Sequence, residues 1–176
     1  DGIRDYKVTG VQTCALPIFI GMQMARAGKK IILTQPKWES RVKEEFNVKG
    51  RAPNPALNEL MSDDETKEPI KDQKKFMSLN SLLMYGATRT YPELLPVVGK
   101  LATKYNKATE DDMKKAIRVA EYVNACYGHQ HVLAPKSLKL IAQADASYAT
   151  HSDAKSQTGG IVGFEAEDGN CCNIAF

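Results

Sequence analysis

The chain has 176 residues, with 24 Lys and Arg against 21 Asp and Glu, a formal net charge of +3 and four Cys. Its mean hydropathy is −0.39, and no window approaches the roughly 18 consecutive apolar residues of a membrane span, which excludes an integral membrane protein. The composition is that of one or two small soluble domains, and four Cys are too few for a disulfide scaffold but suit a reducing compartment.

The first eighteen residues differ in character from the rest. They show no clean helix or strand period, and the apolar stretch Cys14–Ile18 is too short for the core of a signal peptide. Read in one frame, VTGVQTCALPI resembles a translated sequencing-library adapter, and DGIRD resembles its flanking primer. We therefore expect residues 1–18 to be an adapter-derived artefact, and both ends of the natural chain to lie outside this sequence.

From Phe19 the pattern predicts a β-hairpin followed by a helix. Apolar residues alternate imperfectly on both sides of a Gly28-Lys29-Lys30 turn, which indicates the hairpin. Between Lys37 and Val48 the apolar spacing becomes four residues, which predicts a helix that ends near Gly50. Residues 51–58 predict an extended connector, and the acidic loop after it is the segment we expect to be disordered.

The period is helical from Asp72 onward and predicts three helices. The first is capped by Asp72 and buries Phe76, Leu79, Leu82, Leu83 and Gly86. The second starts near Tyr91 with Pro92 in its first turn and buries Leu94, Val97, Val98, Leu101 and Tyr105. The third is capped by Thr109 and buries Met113, Ala116, Ile117, Ala120 and Val123. Packed on one another, these helices form a compact unit.

After Gly128 the period becomes two, which predicts strands. They cover Val132–Ala134, Leu138–Ala144, Gly160–Glu165 and Cys171–Phe176. We expect them to begin a sheet whose remainder lies beyond the sequence. The predicted fold class is α+β, with an N-terminal β-hairpin, a helical unit and the first strands of an incomplete mixed sheet.

Charge is segregated along the chain. Residues 19–58 carry +5, residues 59–72 carry −4 and residues 73–107 carry +5. This pattern predicts two basic surfaces separated by an acidic loop. Such surfaces either bind an anionic partner or are solvated faces without a ligand.

Asp145 is the candidate for metal chemistry. It lies within an apolar strand, where a carboxylate is costly to bury without a metal or a partner. Asp153 is better explained as a turn cap, and Glu165 and Glu167 as a solvated hairpin tip.

Other acidic and metal-binding candidates are weaker. Asp63-Asp64 lies in a polar loop, and Asp111-Asp112 lies in the first turn of a helix, where capping explains it. Zinc sites use spacings such as CxxC or HxxxH. The sequence has no such spacing at His129 and His131 or at the adjacent Cys171 and Cys172.

Four segments, in the right order, resemble the polyprotein of copia-type long-terminal-repeat retrotransposons. FIGMQMARAGKKIILTQPKW resembles the primer-gripping hairpin after the polymerase palm. FMSLNSLLMYGATRTYPELLPVV and TEDDMKKAIRVAEYV resemble two helical segments that follow it. LKLIAQADASYATHSDAKSQTGGIVGF resembles the segment that opens the ribonuclease H domain. Three departures are Thr90-Tyr91, which interrupts a motif, Glu93 in place of aspartate, and the GNCCNIAF end.

The resemblance implies a domain order for the chain. After the artefact at 1–18 come a primer-grip hairpin and helix (19–50) and a connector with the acidic loop (51–72). A helical thumb- and connection-like unit (73–128) and the truncated start of a ribonuclease H-like domain (129–176) complete it.

The resemblance also implies a function. The parent is an RNA-directed DNA polymerase with ribonuclease H, whose reactions use two Mg²⁺ ions held by several carboxylates. Asp145 matches the first ribonuclease H carboxylate and is its expected catalytic residue and metal ligand. The expected partner is an RNA:DNA hybrid or primer-template, with no membrane partner, and the expected location is a cytoplasmic virus-like particle or the nucleus. The expected nucleic-acid contacts are Phe19, Gly21, Arg26, Lys29 and Lys30.

We expect this fragment to be inactive alone, because it retains one candidate carboxylate of the clusters that both reactions need. Two alternatives stay open. The chain is a non-catalytic nucleic-acid-binding module derived from such an element, or it is an unrelated α/β domain. A strand that carries Asp145 at the centre of a sheet would argue against the second.

Overall fold

The computed structural model describes residues 17–57, 68–148, 156–166 and 171–175. Within these ranges the chain is an α+β fold with four α-helices and two antiparallel sheets, and no helix among them is long and apolar enough to cross a bilayer. The strands are β1 (Ile18–Phe19), β2 (Met22–Ala27), β3 (Lys30–Thr34), β4 (His131–Leu133), β5 (Pro135–Ser147), β6 (Gln157–Ala166) and β7 (Cys171–Ala175). The helices are α1 (Pro36–Glu45), α2 (Gln73–Ala87), α3 (Leu95–Ala102) and α4 (Glu110–Ala125).

The first sheet has the order β1-β2-β3-β4 and contains the predicted hairpin. Ala27 pairs with Lys30, so Gly28 and Lys29 form a two-residue loop between β2 and β3. We predicted that residues 132–134 begin the C-terminal sheet, which is wrong, because β4 pairs with β3 through Leu33 and His131. The chain turns after α4 at Gly128, whose φ of +84° favours glycine, and returns to the apolar edge of β3.

A close joint connects the hairpin to the helices. Gln35 alone separates β3 from α1; it is fully buried, and its Oε1 accepts a 2.7 Å hydrogen bond from Thr90 Oγ1. Trp38 Nε1 donates to the carbonyl of Leu82 at 2.7 Å. A Cβ at Gly86 would overlap the Trp38 indole, so the glycine allows the ring to lie directly on α2. The helix begins as predicted but ends earlier, at Glu45.

The helical unit is packed largely as the periodicity predicts, but the second helix is shorter than predicted, since α3 begins at Leu95 and ends at Ala102, before Tyr105. Asp72 caps α2 by accepting from Lys75 N, and Thr109 and Asp112 form a reciprocal capping box at α4. A 3-10 turn at Pro92–Leu94 precedes α3, whose Pro96 lies in the first helical turn. Ile117 was predicted to be buried, which is wrong, since it is 41% exposed and Val119 takes the core position on that face. The core includes Phe76, Leu79, Leu83, Leu94, Val98, Leu101, Ala116, Val119, Ala120 and Val123.

The buried carboxylate of Glu39 connects α1 to the α2–α3 loop and to the turn after α4. The Tyr91 hydroxyl donates to Glu39 Oε1 at 2.6 Å, and Gly128 N donates to Glu39 Oε2 at 2.9 Å. The His129 ring lies 4.6 Å from the Tyr91 ring, centroid to centroid. Burial, together with the neighbouring Glu39 carboxylate, raises the pKa of Tyr91 well above its ordinary value. The carboxylate is therefore buried with hydrogen bonds to both oxygens.

The connector is extended, as predicted, and lies along α4. Arg51 donates to the carbonyl of Ala125 at 3.1 Å, and Arg118 donates to Asn54 Oδ1 at 2.6 Å. Asn124 donates to the carbonyl of Gly50 at 2.8 Å. Of the acidic loop (59–72), which we expected to be disordered, residues 59–67 lie outside the described residues, whereas residues 68–72 are described and Ile70 N donates to the carbonyl of Ala108 at 2.8 Å.

The second sheet is an antiparallel meander of β5, β6 and β7 in that order, close to the predicted strands. Directly paired residues share a face, and Leu140 pairs with Phe164 while Ala142 pairs with Val162. This face is apolar, and it is open at Leu138 and Leu140, which are 84% and 61% exposed. The described pairings are antiparallel, so the parallel pairing that a mixed sheet needs stays a prediction.

Candidate nucleic-acid interface

The loop between β2 and β3 concentrates positive charge at an exposed point. Arg26, Lys29 and Lys30 are all exposed, and they fall within five consecutive residues. Gly28 has φ of +62°, and its carbonyl accepts a 3.0 Å hydrogen bond from Arg26 Nε, which holds the loop closed. Cations in a fixed two-residue loop are suited to contacting phosphate oxygens. We call residues 26–30 the basic loop.

The turn between β1 and β2, at the other end of β2, carries the remaining predicted contacts. Phe19 pairs with Met22, which leaves Ile20 and Gly21 as a two-residue turn. Their φ values are +45° and +74°, the sign that a type I′ hairpin turn requires at both positions. For a β-branched residue such as Ile20 this conformation costs about 1–3 kcal/mol. The surrounding structure must therefore hold the turn in place.

Tyr85 on α2 holds this turn. Its hydroxyl donates to the carbonyl of Ile20 at 2.8 Å. The guanidinium carbon of Arg89 lies 3.6 Å from the centroid of the Tyr85 ring, and Arg89 Nη1 donates to the Tyr85 carbonyl at 2.7 Å. Neither residue was predicted from the sequence. Their spacing of four on a helix indicates a ring–guanidinium pair, but no local signal indicates a contact with Ile20.

The five predicted nucleic-acid contacts thus lie on one hairpin but at two ends of it. Phe19 and Gly21 lie at the turn, whereas Arg26, Lys29 and Lys30 lie in the basic loop. The six residues of β2 that separate the two ends span about 17 Å. At about 3.4 Å per nucleotide along one strand of a duplex, this length corresponds to roughly five nucleotides. The hairpin therefore offers an apolar contact, Phe19, which is 61% exposed, and a cationic contact.

Asp145 lies on β5, opposite Gly159 of β6. Its side chain is exposed and its Oδ1 accepts a 2.9 Å hydrogen bond from Ala146 N, so the cost of burying a carboxylate in an apolar strand does not arise here. Leu140, Ala142, Ala144 and Ala146 lie on the opposite face, since side chains alternate along a strand, whereas Ile141 shares the face of Asp145. In the described order β5 is also an edge strand rather than a central one. Metal binding by Asp145 stays a prediction without support from burial.

The described residues do not fit a pair of Mg²⁺ ions. They contain no group of three or more His, Cys, Asp or Glu side chains placed to hold a metal. Two Mg²⁺ ions need several carboxylates from different strands, and Asp145 supplies one. Further ligands would have to come from residues that the structure does not describe.

The other acidic and histidine candidates have local explanations where they are described. Asp112 belongs to the capping box, and Glu165 accepts from Ser137 at 3.3 Å and pairs with Lys139 at 3.7 Å. His129 stacks on Tyr91, and His131 lies in β4. Some candidates lie outside the described residues, namely Asp63, Asp64, Asp153 and Glu167, as do the side chains of Cys171 and Cys172.

A groove beside α1 is less suited to a polyanion than the basic loop. Its charged lining consists of two cations, Lys37 and Arg41, and two carboxylates, Glu44 and Glu45. Arg41 Nε pairs with Glu45 Oε2 at 2.8 Å. The opposite charges balance, so the groove provides no net attraction for phosphate.

Comparison with known proteins assigns no family. No protein-family model, curated protein or solved structure matches the chain. The geometry of the hairpin, together with the motif resemblance, is the basis of a functional proposal.

Proposed function

We propose that the chain is a fragment of a copia-type retrotransposon polyprotein, from the end of the reverse transcriptase into the start of ribonuclease H. The parent would be an RNA-directed DNA polymerase in a virus-like particle or the nucleus, and the hairpin would contact its RNA:DNA hybrid or primer-template. The observation that carries this proposal is the exposed basic loop on a hairpin that is fixed to the helical unit.

The charge and position of the basic loop support contact with a phosphate backbone. Such contact needs positive charge at a fixed place and no readout of base sequence. Lys29 and Lys30 provide the charge, and the Arg26 hydrogen bond to Gly28 fixes the loop. Phe19, at the other end of β2, provides an exposed ring that can contact a sugar or a base.

The second sheet supports a larger domain around Asp145. One face of β5 is apolar and exposed at Leu138 and Leu140, and an apolar sheet face is normally covered by another layer. A ribonuclease H-like mixed sheet would add that layer and a parallel strand from outside the described residues. The fragment alone would be inactive, since Asp145 supplies one carboxylate of the several that two Mg²⁺ ions require.

A non-catalytic nucleic-acid-binding module is the alternative function. One observation favours it. The basic loop is held in a defined conformation by the Arg26 hydrogen bond to Gly28, whereas the Asp145 carboxylate bonds to the backbone of its own strand. The alternative shares the binding surface with the first proposal, but it requires no catalytic parent.

Hybrid binding as a function of salt concentration tests the shared part of both proposals. The variant Lys29→Ala/Lys30→Ala should bind an RNA:DNA hybrid more weakly and with a shallower salt dependence. The slope of log K against log salt should fall by about 0.9 for each phosphate that the variant no longer neutralises. The matched control is Lys74→Ala/Lys75→Ala on α2, which removes the same charge from another exposed pair of lysines. Equal effects of the two double variants, or no binding at low salt, would contradict the proposal.

Nuclease activity tests the predicted inactivity of the fragment. The purified chain should not cleave an RNA:DNA hybrid in the presence of Mg²⁺. Cleavage that requires Mg²⁺ and is abolished in Asp145→Asn would show that the chain contains a complete site, and the prediction would then be wrong.

A further inference from the structure

We propose that Tyr85 is a positioning residue that holds the Ile20–Gly21 turn in the geometry in which Phe19 contacts nucleic acid. This inference deepens the proposed function and rests on it, because it assumes that the hairpin binds a hybrid. It adds a residue of the helical unit to a surface otherwise formed by the hairpin.

The backbone of the Ile20–Gly21 turn is strained. Ile20 has φ of +45°, a conformation that β-branched residues rarely adopt. The Tyr85 hydroxyl donates to the carbonyl of this same residue at 2.8 Å. Since strained backbone persists only where its surroundings hold it, this hydrogen bond helps to keep Ile20 in place, together with the pairing of β1 and β2.

Gly21 fits closely against the hydroxyl of Tyr85. A Cβ built on Gly21 would overlap the Tyr85 hydroxyl oxygen, whereas the nearest ring carbon, Cζ, would lie 3.5 Å away. The missing side chain of Gly21 therefore makes room for the hydroxyl group and for little else. Turn and tyrosine are complementary in both hydrogen bonding and shape.

The orientation of the Tyr85 ring is fixed from the side of α2. Arg89 lies over the ring at 3.6 Å, and its guanidinium also donates to the carbonyl of Tyr85 and, at 3.0 Å, to Thr88 Oγ1. Within the described residues Arg89 Nε is buried without a hydrogen-bond partner, so the guanidinium gives up a hydrogen bond to keep its place over the ring. Both the turn and α2 therefore hold the tyrosine.

The test removes the hydroxyl alone, with Tyr85→Phe in the full chain. Hybrid binding should weaken about two- to tenfold, the effect of removing one hydrogen bond. The salt slope should stay that of the wild type, because the basic loop and its phosphate contacts are intact. Backbone amide exchange at Ile20–Met22 should become faster, while the melting temperature should fall by no more than about 2–4 °C, the cost of one hydrogen bond in a chain of this size. The control is Tyr127→Phe, which removes an exposed hydroxyl that bonds to Ser40 at 3.2 Å and should change none of these values.

A double-mutant cycle separates positioning from a general loss of packing. Gly21→Ala should weaken binding, because its Cβ meets the Tyr85 hydroxyl and because alanine is strained at φ of +74°. In the Tyr85→Phe background the steric part of this effect should disappear, so that the second substitution costs less than it does in the wild type.

The outcomes distinguish the two proposals. If the wild type does not bind the hybrid, the proposed function fails and the role of Tyr85 in it fails as well. If the wild type binds and Tyr85→Phe binds equally well with unchanged amide exchange, the positioning role alone is overturned. Additive effects in the cycle would also overturn it.

Discussion

The helical unit and the β5–β7 sheet both have regular apolar patterns, yet they bury them to very different extents. Phe76, Leu83 and Val98 are fully buried, whereas Leu138 and Leu140 are 84% and 61% exposed. The helical positions receive side chains from α1, α2, α3 and α4, which enclose a common core. The apolar face of β5 has no such enclosure in the described part of the chain. The period of apolar residues in the sequence therefore predicts whether a segment is a helix or a strand. Whether those residues are buried depends on a second element that packs against them.

The largest loss of stability is expected for a cavity in the enclosed core of the helical unit. Leu83→Ala should lower the free energy of unfolding by about 2–5 kcal/mol, because it opens a cavity among four helices that cannot all move inward. Denaturant unfolding followed by far-UV circular dichroism would measure the change. A decrease below about 1 kcal/mol would mean that the helical unit is loosely packed.

An intermediate effect is expected at the polar contact between α1 and the α2–α3 loop. Tyr91→Phe leaves the buried Glu39 carboxylate with one hydrogen bond fewer and should cost about 1–3 kcal/mol at neutral pH. Denaturant unfolding at pH 7 would measure this cost, with Tyr127→Phe as the matched control.

The same substitution should also change the alkaline limb of the stability curve. The folded state raises the pKa of Tyr91, so its stabilisation is fully present below about pH 10 and is lost as the pH rises, by about 1.4 kcal/mol per pH unit. Tyr91→Phe should remove that contribution in unfolding experiments from pH 9 to 11.5. An unchanged slope would contradict the assignment of the shift to Tyr91.

The smallest change in stability is expected at the exposed apolar face of β5. Leu140→Ser should change the free energy of unfolding by no more than about 0.5 kcal/mol, since the side chain is already largely in solvent. The same change should reduce self-association, because an exposed apolar strand is a site for contact between chains. Sedimentation at several concentrations would measure it. A loss of stability comparable with that of Leu83→Ala would mean that the face is covered in solution.

Local features of the fold could be predicted from the sequence. The Gly28 turn, the caps at Asp72 and Thr109 and the buried faces of α2 and α4 follow from short-range patterns, and the structure confirms them. The pairing of β4 with β3 could not be predicted, because residues 131–133 reach β3 only after the whole helical unit has folded between them. Ile117 was predicted wrongly because Ile117 and Val119 lie at opposite borders of the apolar stripe of α4, and a helical period alone leaves open which border faces the core.

The candidate site could likewise be predicted only where it is formed by neighbours in sequence. The basic loop is formed by neighbours in sequence, so Arg26, Lys29 and Lys30 could be grouped in advance. Tyr85 could not, since its contact with Ile20 joins residues 65 positions apart. The exposure of Asp145 could not be predicted, because Ala144 and Ala146, its apolar neighbours in sequence, lie on the other face of its strand. The functional assignment, which depends on the motif resemblance, stays a proposal.

The single residue between β3 and α1 has a consequence for binding. Gln35 is fully buried and bonded to Thr90, and Trp38, three residues later, lies on Gly86 and bonds to Leu82. The base of the hairpin therefore cannot rotate relative to the helices without breaking buried contacts. A ligand at the tip would meet strands whose orientation is already set, and little conformational entropy would remain to be lost on binding. Substitutions at Gln35 or Trp38 should therefore weaken binding at the tip of the hairpin, although neither residue lies at the tip.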